Sequence, residues 1–442
     1  MVITQPANPR RYALTGGRVW DSTNSCLRAG LAVQVEAGTI VGVYPPEQAP
    51  SDVEMVDVGG LSLLPGLIDV HVHSEDWHGP LYLACGVTTV RDTGCALEEV
   101  LQRRRRWSTP GALAPRLVCC GPMLNGPGQA RLPMAVIVRT ADEARLEVDR
   151  LVEAGVDQIK LYARLDWPCF MAALERAKQH GKYTIAHLQD FGDARQAILA
   201  GVDEIEHLSG CAEALWPERH AEGQHWRRLW PDLPAERMDA LVALIIERRT
   251  WMAVTRGVWY KIGTVWDPRH LDHPQLRYAP VSLRSWWAKV YPADVSAELR
   301  LEWIRALAAM QVFTASLVEG GARIIAGSDA PFVNLVPGFS LHDELQLLVD
   351  CGMRPAQALD AATRLAAEAL GLSGAVGTIE PGKEADLLLI DGDPGQDIRA
   401  LARIQRVIRA GVWHVPDQLL AQAESQPDTA AQRVLRRISD LY

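Results

Sequence analysis

The sequence of 442 residues lacks several features that would place it in a class at once. Its cysteines include no C-x-x-C pair, so neither a zinc ribbon nor a dithiol redox motif is present. The eight cysteines are Cys26, Cys85, Cys95, Cys119, Cys120, Cys169, Cys211 and Cys351. Scattered free thiols are typical of a reducing compartment, and residues 1–11 lack the apolar core of a signal peptide. We therefore expect a cytoplasmic protein.

A strong excess of charge is also missing. Lys and Arg number 45 against 54 Asp and Glu, and the only dense basic stretch is the four arginines at 103–106, which we expect to face solvent. No run approaches the ~18 apolar residues of a membrane span. We therefore expect neither a nucleic-acid nor a membrane partner. No glycine-rich nucleotide loop follows a predicted strand, which argues against a dehydrogenase or kinase.

Short apolar runs alternate with helical segments between about residues 64 and 330. This pattern is typical of parallel βαβ units, and eight such runs predict an α/β fold, a (β/α)8 TIM barrel. The predicted strands are 67–71, 87–92, 116–121, 158–162, 184–187, 204–208, 251–255 and 323–329. The predicted helices include 141–153, 168–180, 193–200, 235–248 and 297–319.

Both chain ends have a different pattern, with period-two alternation around Gly and Asp turns at 18–43 and 378–415. We therefore predict that residues 1–63 and 375–415 together form a small β-sandwich. Residues 64–374 form the predicted barrel. The polar segment 416–442 is predicted to be a docked helix or a tail.

Side chains able to bind a metal stand at the ends of five predicted strands. In a TIM barrel the reactive groups lie at the carboxyl ends of the strands. Because strand side chains alternate, His71 and His73 point to the same side, as two ligands of one metal must. The other strand ends carry Lys160, His187, His207 and Asp329. A single histidine there is more often a core residue, and Lys160 could be a plain salt-bridge partner, but agreement across the strands favours a metal site.

These residues belong to longer motifs that resemble the amidohydrolase superfamily. The motifs are PGLIDVHVH at 65–73, GVTTVRD at 86–92, GSD at 327–329 and GKEADL at 382–387. The chain is most similar to the imidazolonepropionase-related, prolidase-like members, along nearly its whole length. The resemblance implies two divalent metal ions. His71, His73 and Asp329 would hold one ion, His187 and His207 the other, and Lys160 as its carbamate both.

The chemistry of the residues is consistent with that implication. An ammonium group cannot bind a metal ion, so Lys160 must lose its proton and react with CO2 to become a bridging anion. Burial between apolar neighbours favours the neutral amine. We expect a metal-bridged hydroxide to attack an amide carbonyl while Asp329 shuttles the proton to the leaving nitrogen. Zinc is the expected metal, although Mn, Co or Fe would suit the same ligands.

Three alternatives remain open. The first is a mononuclear aminohydrolase that deaminates a heterocycle; such enzymes usually place a glutamate three residues after a histidine, where this chain has Asp190 after His187. Lys160 would then have no role. The second is a cyclic-amide hydrolase. The third, a non-catalytic scaffold, is disfavoured because every ligand position is filled.

The segments after the sixth and seventh predicted strands are unusually aromatic. Nine of the 14 tryptophans lie there: Trp216, Trp226, Trp230, Trp251, Trp259, Trp266, Trp286, Trp287 and Trp303. They predict an apolar mouth for a small hydrophobic or aromatic amide such as an N-acyl amino acid, a dipeptide or an aryl amide, or else they pack loops or a subunit interface. Candidate substrate contacts are Tyr162, Arg256, Trp259, Tyr260 and His342, with Arg256 as a carboxylate anchor. We expect a homo-oligomer, as in related proteins.

Overall fold

The computed structural model describes residues 5–128, 134–189 and 192–424. Within them the strands are β1 Arg11–Thr15, β2 Arg18–Asp21, β3 Cys26–Ala29, β4 Ala32–Glu36, β5 Thr39–Tyr44, β6 Glu54–Asp57, β7 Ser62–Pro65, β8 Leu67–Val72, β9 Val87–Asp92, β10 Arg116–Cys119, β11 Met123–Asn125, β12 Ala135–Ile137, β13 Ile159–Leu161, β14 Thr184–Ala186, β15 Glu204–Glu206, β16 Trp251–Ala253, β17 Arg323–Ile325, β18 Leu387–Ile390, β19 Ile404–Arg409 and β20 Val412–His414.

The α-helices of the same residues are α1 Gly79–Ala84, α2 Leu97–Trp107, α3 Ala141–Glu153, α4 Trp167–Gln179, α5 Ala194–Ala200, α6 Cys211–Leu215, α7 Pro217–Ala221, α8 Trp226–Leu229, α9 Ala235–Glu247, α10 Arg256–Gly263, α11 Pro268–Leu271, α12 Val281–Val290, α13 Ala297–Glu319, α14 Phe339–Asp350, α15 Pro355–Ala361, α16 Arg364–Ala369 and α17 Pro416–Glu424. Short 3-10 helices occur at Pro46–Gln48, Asp76–His78, Pro274–Tyr278 and Ile398–Arg403.

All eight strands predicted for the central region are present, as β8, β9, β10, β13, β14, β15, β16 and β17. They lie in two parallel sheets, one of order β10-β9-β8 and one of order β12-β11-β13-β14-β15-β16-β17. Two strands, β11 and β12, were not expected. The first and last strands of the set meet, because Asp329 N donates to the His71 carbonyl and His73 N to the Ala330 carbonyl, each at 2.8 Å. This meeting brings two predicted ligand positions together.

Closure of the barrel remains a prediction. Among the described residues no strand ladder joins the three-stranded sheet to the seven-stranded sheet. On that side Asp157 N donates to the Cys119 carbonyl at 2.9 Å, and Cys119 N donates to Asp157 Oδ2 at 2.9 Å.

The predicted helices agree closely with the structure. The bounds of α3 and α13 are those predicted, α5 and α9 differ by one residue at one end, and α4 differs by one residue at both ends. Local chemistry sets their starts, since Thr140 Oγ1 accepts from Glu143 N ahead of α3 and Asp166 Oδ1 accepts from Cys169 N in the first turn of α4. The caps explain why these boundaries could be predicted.

Helix α13 is long and apolar enough, by length and composition alone, to cross a membrane. One face of α13 packs into the main apolar core of the described chain, whereas Leu301, Ile304 and Val312 are exposed. The large buried side chains are Trp303, Leu307, Met310, Phe313 and Leu317.

Strands from both chain ends form two further sheets, of order β5-β4-β1-β6 and β20-β19-β18-β7-β2-β3. The ends join directly because β18 pairs antiparallel with β7, with Leu388 opposite Leu64. Both sheets contribute to one apolar cluster that includes Tyr12, Val33 and Ile408. The β-sandwich arrangement and the domain bounds remain predictions. Helix α17 buries Leu419 and Ala423, and residues 425–442 lie outside the described residues.

Candidate metal centre

The side chains predicted at the strand ends come together. His71 Nε2 and His73 Nε2 lie 3.2 and 3.3 Å from Asp329 Oδ1. The ring centroid of His207 is 4.6 Å from that of His71 and 4.6 Å from that of His187. Four of the six candidates, His71, Lys160, His207 and Asp329, are buried, and the other two are half-buried. The strand ends therefore present one compact group of nitrogen and oxygen donors.

Hydrogen-bond partners fix two of the imidazoles. His73 Nδ1 lies 3.0 Å from the Gly94 carbonyl oxygen, which can only accept, so Nδ1 carries the proton and Nε2 is free to bind a metal. His207 Nδ1 lies 2.6 Å from the hydroxyl of Thr255, the residue that ends the seventh predicted strand. Metal-binding histidines usually have such a second partner, which sets the ring orientation.

The electrostatics of the site suit a divalent cation. Burial lowers the pKa of His187 to about 3 and that of His207 well below its ordinary value, so both imidazoles are neutral. Burial alone would raise the pKa of Asp329, but His71 and the other imidazoles hold it well below its ordinary value. Burial lowers the pKa of Lys160 to about 7, so the neutral amine is accessible near neutral pH. Neutral imidazoles and an ionised carboxylate are the forms that bind metals.

The structure adds Glu206, which is not among the residues predicted from the sequence. Its side chain is fully buried, with Oε1 2.9 Å from His71 Nδ1 and Oε2 in contact with Lys160 Nζ. The signal was present in the Glu204-Ile-Glu206 pattern of the sixth strand, because alternation points both carboxylates the same way. The sequence instead predicts the next residue, His207, as the ligand at this strand end.

Several buried polar atoms at this place have no hydrogen-bond partner among the described residues. They are His71 Nδ1, Lys160 Nζ, Glu206 Oε1 and Glu206 Oε2. Buried polar atoms in native proteins are nearly always paired, so this group calls for a further partner. The ligand atoms of His71, His73 and Asp329, and those of His71, Glu206 and His207, each lie within 4.8 Å of one another. The residues present therefore fit a metal centre.

Two of the candidate substrate contacts lie next to the group of candidate ligands, which we call the cluster. The Tyr162 ring meets the His187 ring edge-on with centroids 4.9 Å apart, and Trp259 Nε1 donates to the His207 carbonyl at 2.8 Å. A cavity of about 40 Å³ lies here, and its lining includes His187, His207, Trp226, Trp230 and Trp259. A larger cavity of about 460 Å³, lined in part by Trp287 and Arg284, shares no residue with the cluster.

The structure does not bring the other three candidates to the cluster. The buried Arg256 side chain donates to the Leu307 carbonyl at 3.3 Å, because the residue begins α10 and turns toward α13. The Tyr260 ring packs on His270. His342 Nε2 lies 2.8 Å from the Cys85 carbonyl, beside a separate cavity that α17 helps to line. Asp190 lies outside the described residues.

The model of the amidohydrolase family matches residues 82–414. An imidazolonepropionase of Deinococcus radiodurans is 25% identical over 435 residues, which cover 90% of this chain and 93% of that protein. A prolidase-like crystal structure from Bifidobacterium longum is 25% identical with a TM-score of 0.69, covering 94% of this chain and 99% of that one. The bottromycin amidohydrolase, 23% identical, has a TM-score of 0.70 over 96% of this chain and 92% of its own.

These likenesses confirm the resemblance noted in the sequence motifs, and they imply a TIM-barrel-like α/β fold. The family match covers well over half of the chain, and the described residues include candidate metal ligands, as expected of a family that is generally metal-dependent. The chain therefore belongs to the amidohydrolase family and is a hydrolase that acts on carbon–nitrogen bonds.

Proposed function

We propose that the protein is a binuclear metal-dependent hydrolase that cleaves the amide bond of a hydrophobic or aromatic substrate such as an N-acyl amino acid, a dipeptide or an aryl amide. The observation that carries this proposal is the meeting of four imidazoles, one carboxylate and one buried lysine. His71, His73 and Asp329 would hold one ion, and His187 and His207 the second. Lys160, as its carbamate, would touch both. Zinc suits this set of ligands.

A bound pair of divalent ions supplies Lewis acidity, which polarises a substrate carbonyl and lowers the pKa of water. The proton transfer belongs to Asp329. Its Oδ1 faces His71 and His73, while Oδ2 lies on the side of His207, 3.9 Å from Nδ1. Oδ2 is thus the atom that accepts the proton of the attacking water and passes it to the leaving nitrogen.

The environment of Lys160 supports the carbamate. Only the neutral amine reacts with CO2, and burial lowers the pKa of Lys160 to about 7. The contact with Glu206 Oε2 opposes this shift, because a nearby carboxylate favours the ammonium form.

The tryptophans support a hydrophobic substrate. Trp226, Trp230 and Trp259 form an apolar wall next to two proposed ligands, His187 and His207. One water needs ~10–15 Å³ of cavity space, so the cavity of about 40 Å³ has room for only a few waters, and a bulky acyl or aryl group requires the surrounding loops to open.

One observation favours the mononuclear aminohydrolase alternative. Lys160 Nζ contacts Glu206 Oε2, as an ammonium group paired with a carboxylate would. In that state Lys160 carries no carbamate and bridges nothing.

Metal content per chain separates the two functions. We expect two equivalents in the wild type, one or none in Lys160→Ala, and partial recovery of activity when short carboxylic acids replace the carbamate. Lys261→Ala is the matched control, because Lys261 is also buried but lies beside His270 and Asp343 instead. One equivalent that Lys160→Ala leaves unchanged, or full amidase activity in that variant, would refute the binuclear proposal and direct the substrate screen to heterocycles.

A further inference from the structure

A buried carboxylate stands between two of the proposed metal ligands. Glu206 ends β15 with no exposed surface, and its two oxygens face different partners. Oε1 lies 2.9 Å from His71 Nδ1, and Oε2 contacts Lys160 Nζ. Neither contact has hydrogen-bond geometry, and a buried carboxylate without hydrogen bonds is among the costliest groups in a protein interior, so this position needs a reason.

Apart from Lys160, no cation among the described residues pairs closely with Glu206. The nearest guanidinium, that of Arg91, is 3.8 Å from Oε1 and is already bound by Glu204 at 2.5 and 2.9 Å. Arg91 also donates to Gln158 and to the Val70 carbonyl. The charge of Glu206 is therefore left to Lys160 and to the candidate metal centre.

We propose that Glu206 is a positioning residue that holds His71 and Lys160 in the orientations in which they bind metal. The inference rests on the proposed function. His71 Nδ1 and Oε1 lie 2.9 Å apart without the alignment of a hydrogen bond. A small rotation of the ring would let Nδ1 donate to Oε1, which fixes the tautomer in which Nε2 is free on the side of Asp329. A lysine carbamate keeps one N–H, which needs a buried acceptor, and Oε2 is the oxygen against Nζ.

Glu204 provides a matched control. It lies two residues earlier in the same strand, is equally buried and points the same way. Its oxygens are held by Arg91 and by the Tyr183 hydroxyl at 3.0 Å, and none of its bonds reaches a proposed ligand.

The experiment compares Glu206→Ala, Glu206→Gln and Glu204→Gln in zinc-loaded protein. The readouts are zinc per chain, the rate at which a chelator extracts zinc, and the carbamate signal in ¹³C NMR after equilibration with ¹³C-bicarbonate. Loss of such an outer partner typically costs 10–100-fold in metal affinity, so we expect extraction from Glu206→Ala to be about 10–100-fold faster. Glu206→Gln keeps one acceptor, so its rate of zinc extraction should lie between those of the wild type and Glu206→Ala. The chelator should extract zinc from Glu204→Gln at the wild-type rate.

Each outcome either supports or overturns the proposed role of Glu206. Wild-type extraction and carbamate signal in Glu206→Ala would overturn the inference, and so would equal acceleration in Glu204→Gln, because the effect would then be a general loss of packing. If Glu206→Ala does not fold, the comparison of Glu206→Gln with Glu204→Gln gives the same decision. A wild-type protein that retains neither zinc nor manganese, cobalt or iron overturns the proposed function itself, whereas two zinc ions held equally by every variant overturn only the role of Glu206.

Discussion

Replacing Arg91 tests how much the pairing of buried charges near the candidate metal centre stabilises the protein. Arg91 is fully buried in β9 and uses all its nitrogens. It binds Glu204 through two bonds of 2.5 and 2.9 Å, Gln158 Oε1 at 2.9 Å and the Val70 carbonyl at 2.6 Å. This single side chain thereby connects strands β8, β9, β13 and β15 or their flanks inside the protein.

Arg91→Met keeps an apolar side chain in the interior but leaves Glu204 without its cation. Removing one partner of a buried pair costs ~3–5 kcal/mol, because the other charge stays buried. The Tyr183 hydroxyl still donates to Glu204, so we expect the lower end, ~3 kcal/mol. In Arg91→Met/Glu204→Leu both charges are gone, and most of the loss should be recovered.

Urea unfolding followed by circular dichroism and tryptophan fluorescence measures both variants. The free energy of unfolding follows from the midpoint and slope of coincident transitions. A loss below ~1 kcal/mol in Arg91→Met would place the pair in the range of exposed ion pairs and refute the reasoning from burial. A double variant no more stable than Arg91→Met would show that the stranded carboxylate is not the cause.

Two further predictions concern buried groups outside the cluster. Arg256→Ala should lower the stability of the protein, because the guanidinium group of Arg256 donates to the Leu307 carbonyl. It should leave the ratio of the KM values for N-acyl amino acids and uncharged amides unchanged. A selective rise in KM for the N-acyl amino acids would restore the hypothesis that Arg256 anchors a substrate carboxylate. Burial raises the pKa of Glu344 from 4.5 to about 7, so the folded state holds its proton more tightly and stability falls as pH rises through that window. Thermal midpoints at about pH 5 and pH 7.5 should therefore differ less in Glu344→Gln than in the wild type, and equal differences would contradict this sign.

The strands, and the candidate ligands that the structure brings together, could be predicted because two simple periodicities determine their placement. Alternation along a strand places His71 and His73 on one side, and parallel βαβ order places successive strand ends at one edge. The strands β11 and β12 could not be found in this way, since each has three residues and neither shows a period.

The candidate substrate contacts were harder to predict, because the direction of a side chain after a strand depends on the turn that follows. Thr255 has a φ of 43°, and α10 begins at the next residue. The turn sends Arg256 toward α13, while Trp259, one helical turn later, reaches the His207 carbonyl. Neither the turn nor the helix start has a signature in the hydrophobic pattern, so position after a strand was a poor guide to which side chain faces the cluster.

Glu206 would also change the charge balance of the proposed binuclear centre. Two divalent ions against Asp329 and a Lys160 carbamate would leave a net charge of about +2, and an ionised Glu206 would reduce this to about +1, which lowers the cost of burying the centre. Without the ions the same carboxylate contacts Lys160, as it would contact an ammonium group. One residue would thus stabilise both states of the lysine. Glu206→Gln removes the charge of the side chain but keeps a hydrogen-bond acceptor. The difference in zinc retention between the wild type and Glu206→Gln therefore measures the electrostatic contribution of Glu206. The further difference between Glu206→Gln and Glu206→Ala measures its contribution to the orientation of His71 and Lys160.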